Sequence, residues 1–375
     1  MVGTEILKPR RRRSSRDMSV AACAAAALFL TACQGPTPEA PILSPSVTND
    51  VATGFAAPWS VALLADGSML VSERDSGQIL EVSPSGAKHL VGAVPGVRHQ
   101  GEGGLLGLAV HLGGCKDNPA PDTGTGCITV YAYLTTASDN RIVHLPLLGM
   151  PGTRSLGPAT VIFDGIPKAG NHNGGRIAFG PDGMLYATAG DAGNRTTAQD
   201  PNSLSGKILR LKPDGKIPTD NPFPGSPVWS LGHRNPQGIA WDEQGRMWAS
   251  EFGQNTWDEL NEIVPGGNYG WPVVEGTGND SRFRDPVLTW TTAEASPSGI
   301  AIDGTTLYMA ALRGERLWIV ELANTPTTRS VLVGELGRLR DVALTHDGRL
   351  YVLTNNTDGR GTPNPGDDKI IDVTR

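Results

Sequence analysis

Several short polar strings in this chain hold residues that could move a proton or grip an anion. Asn171-His172-Asn173-Gly174-Gly175-Arg176 sets a histidine just ahead of an apolar run, on a loop at the mouth of a β-unit. Imidazole is the natural proton acceptor near neutral pH, so His172 is a candidate general base, against the plainer role of a turn-building histidine. The string Ser230 to Gly238, S-L-G-H-R-N-P-Q-G, brings His233, Arg234 and Asn235 to the corresponding end of a second unit. In Gly337-Arg338-Leu339-Arg340-Asp341 the two arginines are two apart and point to one face if the backbone is extended. With Arg234 and with Arg313 of Ala311-Leu312-Arg313-Gly314, they could form a cationic cluster for a planar polyanion held by bidentate guanidinium contacts. Ser250 to Glu259, S-E-F-G-Q-N-T-W-D-E, is rich enough in carboxylate and amide oxygens for a hard cation, without EF-hand spacing. Gln100-Gly101-Glu102-Gly103-Gly104 allows a close backbone approach, or only a tight corner.

The elements that must position these residues repeat. An apolar strand, a glycine turn and a second alternating strand recur at Val61, Ile177, Ile239, Ile300 and Val342, with turn glycines at Gly67, Gly183, Gly245, Gly304 and Gly348. The first interval is 116 residues and the next 62, so one diverged copy belongs between them, and Leu106–Val110 with Ile128–Tyr133 fit it. Six copies of one small antiparallel sheet predict an all-β, six-bladed β-propeller of four-stranded blades. Each sheet needs neighbours to bury its faces, so the ring must close. The segments Val47–Gly54 and Lys369–Val373 are left over at the two ends and are expected to pair in one blade. Helix-period stretches are nearly absent.

Residues 1–32 read as a leader: Lys8, Arg10 to Arg13 and Arg16 precede a short apolar run, Val20 to Leu30, too short to span a bilayer. Leu30-Thr31-Ala32-Cys33 resembles a bacterial lipobox, which implies cleavage before Cys33 and its lipidation. A Pro-rich tether (33–46) then leads to the propeller (47–375), giving an exported, cell-surface or periplasmic lipoprotein anchored to the membrane through Cys33. The chain's formal charge is −6, and without the leader −10, which argues against nucleic acid as a partner. Cys115 and Cys127 bracket a Gly/Pro/Asp loop, and in an exported protein a disulfide between them is expected.

The strings N-H-N-G-G-R, L-G-H-R-N-P-Q-G, E-L-N-E-I-V-P-G-G-N-Y-G-W-P, P-S-G-I-A and R-L-R-D-V resemble the soluble PQQ-dependent glucose/sorbosone dehydrogenases, including aldose sugar dehydrogenases, from Phe55 to the C-terminus. That family's fold is a six-bladed propeller. The resemblance implies oxidation of aldose sugars to lactones with PQQ and Ca2+. His172 would take the proton of the anomeric hydroxyl, and Arg234 would stabilise charge developing on the quinone oxygens. Asn235 and Gln237 would line the cofactor site and Gln100 the sugar site. Arg313, Arg338 and Arg340 would bind the PQQ carboxylates. Gly253 and Gln254 would offer carbonyls to the calcium beside PQQ, and Glu259 and Tyr269 match a second, structural calcium. Three positions depart from the pattern: Arg313 where lysine is common, Phe252 where a polar residue is frequent, and Gln254 where proline is common. Long insertions of the glucose-specific enzymes are missing, which favours a more open pocket. A metal-dependent lactonase would need no arginine cradle, and a non-enzymatic binding propeller would need no His172 with Arg234. The preferred sugar, the electron acceptor and formation of a homodimer are left open.

Overall fold

A computed structural model describes residues 46–112 and 127–374. The leader, most of the tether, Cys33 and Cys115 lie outside the described residues, and so does one half of the expected disulfide. Every described element is a strand except the 3₁₀ turn Arg195–Gln199. In chain order, β1 (Ser46–Thr53) is followed by a first blade of β2 (Pro58–Leu63), β3 (Met69–Glu73), β4 (Gln78–Val82) and β5 (Lys88–Ala93). The second blade is β6 (Leu105–Leu112), β7 (Ile128–Thr135), β8 (Asn140–Leu148), β9 (Ser155–Leu156) and β10 (Thr160–Ile166), the last two sharing the outer edge of β8. The third is β11 (Ile177–Phe179), β12 (Leu185–Ala189), β13 (Lys207–Leu211) and β14 (Val228–Leu231). The fourth is β15 (Pro236–Trp241), β16 (Met247–Glu251), β17 (Trp257–Ile263) and β18 (Leu288–Thr291). The fifth is β19 (Pro297–Asp303), β20 (Thr306–Ala311), β21 (Arg316–Glu321) and β22 (Thr327–Val331). The sixth is β23 (Leu339–Leu344), β24 (Leu350–Thr354) and β25 (Lys369–Thr374), with β1 as its outermost strand.

The ring therefore closes as its two ends predict: β1 pairs antiparallel with β25, from Val47 opposite Val373 to Thr53 opposite Lys369. The innermost strands touch in a circle, β2 against β6 and β23, β11 against β6 and β15, and β19 against β15 and β23. The protein is an all-β six-bladed propeller. All five repeat glycines, Gly67, Gly183, Gly245, Gly304 and Gly348, have positive φ, which explains why the turn between the first two strands of a blade keeps that residue. In the second blade residues 113–126, between β6 and β7, lie outside the described residues.

Six apolar clusters fill the seams between neighbouring blades. Leu70 and Ile79 meet Leu105 and Leu108 at one seam, and Trp248 and Leu260 meet Leu307 and Met309 at another. The last seam joins Val71 and Met69 to Tyr351 and Leu353, so apolar burial runs around the whole ring. Because consecutive strands reverse direction, the loops entering each blade and the loops between its second and third strands share one end. Residues 98–104, 167–176, 190–206, 232–235, 252–256, 312–315, 332–338 and 355–368 all lie there.

Candidate active site

His172 sits on the entry loop of the third blade with φ +55, a left-handed backbone uncommon for a side-chain-bearing residue. Its Nδ1 lies 2.7 Å from Asp191 Oδ1. Asp191, fully buried on the loop after β12, also accepts the Gly193 N–H at 2.8 Å and the Trp271 indole N–H at 2.9 Å. Burial opposes its charge, but the bond to His172, the charge there and the two N–H donors hold its carboxyl below the ordinary range. A carboxylate on Nδ1 fixes that nitrogen as the N–H donor and leaves Nε2 as the acceptor. Sequence reasoning missed Asp191, 19 positions from His172 in a string without a motif of its own, and the role of Trp271, 99 positions away in E-L-N-E-I-V-P-G-G-N-Y-G-W-P.

Arg234 is carried by the sharp loop between β14 and β15. Its backbone N–H donates to Glu251 Oε1, its Nη1 donates to the Phe252 carbonyl at 3.2 Å, and its guanidinium lies 5.5 Å from the Trp271 ring centroid. His233, beside it, is wholly buried between Glu251 and Ser230 and stacked on Tyr269, so it builds the loop and does not face a ligand. The Asn235 side-chain Oδ1 accepts the Gly174 N–H at 3.0 Å, clamping the Arg234 loop to the His172 loop.

The arginine cluster exists with a different membership. Arg338 and Arg340 converge on Asp358, with Nη2 atoms 3.2 Å and 3.6 Å from its Oδ2. Gln237 accepts from Arg340 Nη1 at 2.8 Å, and Arg340 and Arg176 lie 5.7 Å and 4.4 Å from the Trp59 ring centroid. Arg74 reaches the Asp358 carbonyl, and Arg176 pairs with Asp341 at 2.8 Å. Burial pushes the Arg340 guanidinium down; Asp358 works against this, and Arg338, Arg74 and Arg176 add to it. Arg313, on the turn after β20, is exposed and shares no polar contact with these groups, whereas Arg74 and Arg176, which the sequence did not single out, join the buried cluster. Gln100 is also exposed, its backbone bonded to Gly103, and its neighbour Glu102 reaches the His172 loop. Among the described residues, buried nitrogens without a hydrogen-bond partner include Arg176 Nη2, Arg234 Nε, Arg338 Nε and Asn235 Nδ2. Unpaired buried donors are costly, and a ligand rich in anionic oxygens is the chemistry that would satisfy them.

The oxygen-rich segment after β16 folds in a way its composition hides. The N–H groups of Gln254, Asn255, Thr256 and Trp257 all donate to Glu275 Oε1, at 2.7 to 3.2 Å, and hold that carboxyl below its ordinary range although burial opposes it. The Gly253 N–H donates to Asp258 at 2.8 Å, and a Cβ at Gly253 would fall 1.7 Å from the Trp257 carbonyl, so only glycine fits. Turned inward for these bonds, the loop amides leave the Gly253 and Gln254 carbonyls without hydrogen-bond donors among the described residues. Glu251, Glu259 and Glu275 line one small cavity with Arg234, Phe252, Tyr269 and Trp271. Burial, and then Glu251, push the Glu259 carboxyl up to about 8, the kind of crowding a cation relieves. No three His, Cys, Asp or Glu groups form a ready metal cage among the described residues, so carbonyls would have to complete one. The Tyr269 hydroxyl donates to the Glu262 carbonyl at 2.7 Å and accepts the Val264 N–H at 2.9 Å. It is committed to its own blade, and only the Tyr269 carbonyl remains for a metal.

A six-bladed ring with a carboxylate-oriented histidine, a half-buried arginine and a buried arginine cradle at one end is a propeller built to hold a polyanion beside a proton acceptor. Residues 55–362 match the family described as glucose / sorbosone dehydrogenase, and the chain belongs to that family. The PQQ-bound aldose sugar dehydrogenase of Streptomyces coelicolor is 52% identical, superposes with a TM-score of 0.82, and is matched over 88% of this chain and 97% of that one. Aldose sugar dehydrogenase YliI of Escherichia coli is 31% identical over 80% of this chain and 88% of its own. Quinoprotein glucose dehydrogenase B of Acinetobacter calcoaceticus is 35% identical over 58% of this chain, a match that spans half of that protein's length.

Proposed function

We propose that this protein is a PQQ- and calcium-dependent aldose dehydrogenase that oxidises the anomeric carbon of a sugar to a lactone. The observation that carries the reading is the pairing of the His172–Asp191 dyad with unpartnered guanidinium and amide donors at the same end of the ring. His172 Nε2 accepts the proton of the anomeric hydroxyl, and Asp191 stabilises the imidazolium and keeps the ring in orientation. Arg234 presents positive charge beside the dyad, where oxygen charge develops in the transition state. Arg338, Arg340 and Arg176 hold carboxylate groups of PQQ, with Gln237 fixing Arg340 and Asn235 holding the Arg234 loop in place. When bound, PQQ supplies the two-electron acceptor that takes hydride from C1, with calcium as a Lewis acid beside it. The Gly253 and Gln254 carbonyls fit the role of calcium ligands, and Glu259 with the Tyr269 carbonyl fits that of a second, structural ion.

A lactonase would have no use for four clustered guanidiniums, and a binding propeller none for a carboxylate-fixed histidine tautomer. Export, anchoring through Cys33 and the Cys115–Cys127 bridge belong to the same proposal. The test is reconstitution of leaderless protein with PQQ and calcium, followed by dye reduction with a panel of aldoses. The expected result is turnover that needs both additions, stops on chelation and vanishes in His172→Ala. Failure to bind PQQ would overturn the enzyme reading.

A further inference from the structure

Glu102 and Arg360 are 258 positions apart and meet at the mouth of the site. Glu102 Oε2 accepts the backbone N–H of His172 at 2.8 Å, and its Oε1 lies 2.9 Å from Arg360 Nη1. The Glu102 N–H donates to the Gly170 carbonyl at 2.9 Å, and a Cβ on Gly101 would fall 2.1 Å from that same carbonyl. The loop from the second blade is thus pressed onto the His172 loop with no room to slide. Glu102 is mostly covered, its side chain 16% exposed, whereas that of Arg360 is 53% exposed on the loop between β24 and β25. Both line the cavity that also holds Trp59, Arg74, Gln237, Phe252 and Arg340.

We infer that Glu102 is a positioning residue for His172, and that Arg360 is a latch acting on His172 through Glu102. A left-handed backbone at a histidine is unfavourable on its own and persists only where its surroundings fix it. Two contacts do so here: the His172 carbonyl accepts the Ala192 N–H at 3.1 Å, and its N–H is held by the Glu102 carboxylate. Asp191 sets the ring's tautomer; Glu102 sets where the ring stands. Arg360 takes the second carboxylate oxygen, stops the side chain from rotating away, and ties the sixth blade to the second across the pocket. The inference rests on the reading of His172 as the base.

The test compares Glu102→Ala, Glu102→Gln, Arg360→Ala, the Glu102→Ala/Arg360→Ala double variant and His172→Ala, each with PQQ and calcium. Glu102→Ala should lower kcat by ~10- to ~100-fold, the scale set by small misplacements of a catalytic group, with KM and PQQ affinity within ~3-fold of wild type. Glu102→Gln, which can still accept the His172 N–H but turns its NH2 toward Arg360, should recover to the level of Arg360→Ala and no further. Arg360→Ala should lose ~3- to ~10-fold in kcat, and the double variant should be no worse than Glu102→Ala alone, because the latch works through the carboxylate. Hydrogen exchange at the His172 amide, read on protein without PQQ or sugar, should accelerate at least ~10-fold in Glu102→Ala and stay slow in Glu102→Gln. Unchanged kcat in Glu102→Ala, a loss confined to KM or PQQ affinity, or an Arg360→Ala defect that adds to that of Glu102→Ala would each overturn the inference. So would unchanged exchange, an arm that decides even if no sugar is turned over. An active His172→Ala would instead sink the assignment of the base.

Discussion

Replacing Asp191 by asparagine isolates the orientation of the base, because it keeps the shape of the side chain and removes its charge and one acceptor. The wild-type carboxylate receives His172 Nδ1 at 2.7 Å and the Gly193 N–H at 2.8 Å on one oxygen, and the Trp271 N–H at 2.9 Å on the other. An amide cannot accept on both sides. With its NH2 toward Trp271, two buried donors face each other and lose their acceptor, each at about 1–3 kcal/mol. With its NH2 toward His172, only the Gly193 N–H is stranded, but Nδ1 must become the acceptor and the proton moves to Nε2, where it blocks the base. The second arrangement leaves fewer orphans and should dominate. The expected loss in kcat is ~10²- to ~10⁴-fold, or about 3–5.5 kcal/mol at 1.36 kcal/mol per decade, with PQQ affinity and unfolding temperature little changed. Trp271→Phe, which removes one donor and leaves the carboxylate, should cost less than ~10-fold. The assay is steady-state dye reduction by the reconstituted enzyme, with PQQ binding measured separately by fluorescence. Asp191→Asn with kcat within ~3-fold of wild type would show that the dyad does not set the active tautomer.

Lys207, wholly buried, donates to the Thr197, Ala198 and Ser205 carbonyls at 2.9, 2.9 and 2.6 Å, so Lys207→Met should lower unfolding free energy by ~2–4 kcal/mol in denaturant titrations. Burial pushes its ammonium down to about 8 from 10.5, so between those values the unfolded chain binds more protons. The wild-type-minus-variant stability should therefore rise with pH across that window and lose the increment as pH falls through 8. Arg313→Ala should change PQQ affinity by less than ~3-fold in equilibrium titration, because its exposed side chain shares no contact with the buried cluster; a loss of ~30-fold or more would restore it to the cradle. Glu275→Ala should strand four loop donors, and the amides of Gln254 to Trp257 should exchange at least ~10-fold faster in a mass-spectrometric or NMR measurement.

The ring was legible because its signal is periodic. Five glycine turns and a leftover strand at each end specify six blades and their closure, since period-two patterning and positive-φ turns are local properties. His172, Arg234, Arg338 and Arg340 could be found because each sits in a polar string at a strand start, where the topology brings all loops to one end. What could not be read is which side chains face each other across the ring. Asp191 follows β12 in an ordinary-looking A-G-D-A-G, yet the reverse of chain direction after β12 returns it to His172. Arg74 looks like any surface arginine in sequence, and nothing in N-H-N-G-G-R says that Arg176 turns inward onto Trp59 and pairs with Asp341. Arg313 shares the right end of a blade with them but stands outside the ring of contacts. The composition of Ser250 to Glu259 suggested cation ligands throughout, whereas its amide groups, which composition does not show, are spent on Glu275.

The two cavities at this end of the propeller carry charge of opposite sign, and Phe252 lines both. On one side Glu251, Glu259 and Glu275 crowd together until Glu259 is held up to about 8; on the other, Arg74, Arg340 and Arg360 outnumber Glu102, although Arg74 also pairs with Asp75 and Arg340 shares Asp358 with Arg338. Each cluster is destabilised by its own repulsion, and each would be relieved by a ligand of the opposite charge. Placed in contact, the two sets would neutralise each other and leave nothing to bind. Phe252, which lines both cavities, sets an apolar residue in the wall they share, and its carbonyl gives Arg234 a neutral acceptor at 3.2 Å. A polar residue at position 252 would offer a bridge across that wall. The phenylalanine, which in sequence looks like a departure that weakens the site, is on this argument what keeps its two charged halves separate and both available.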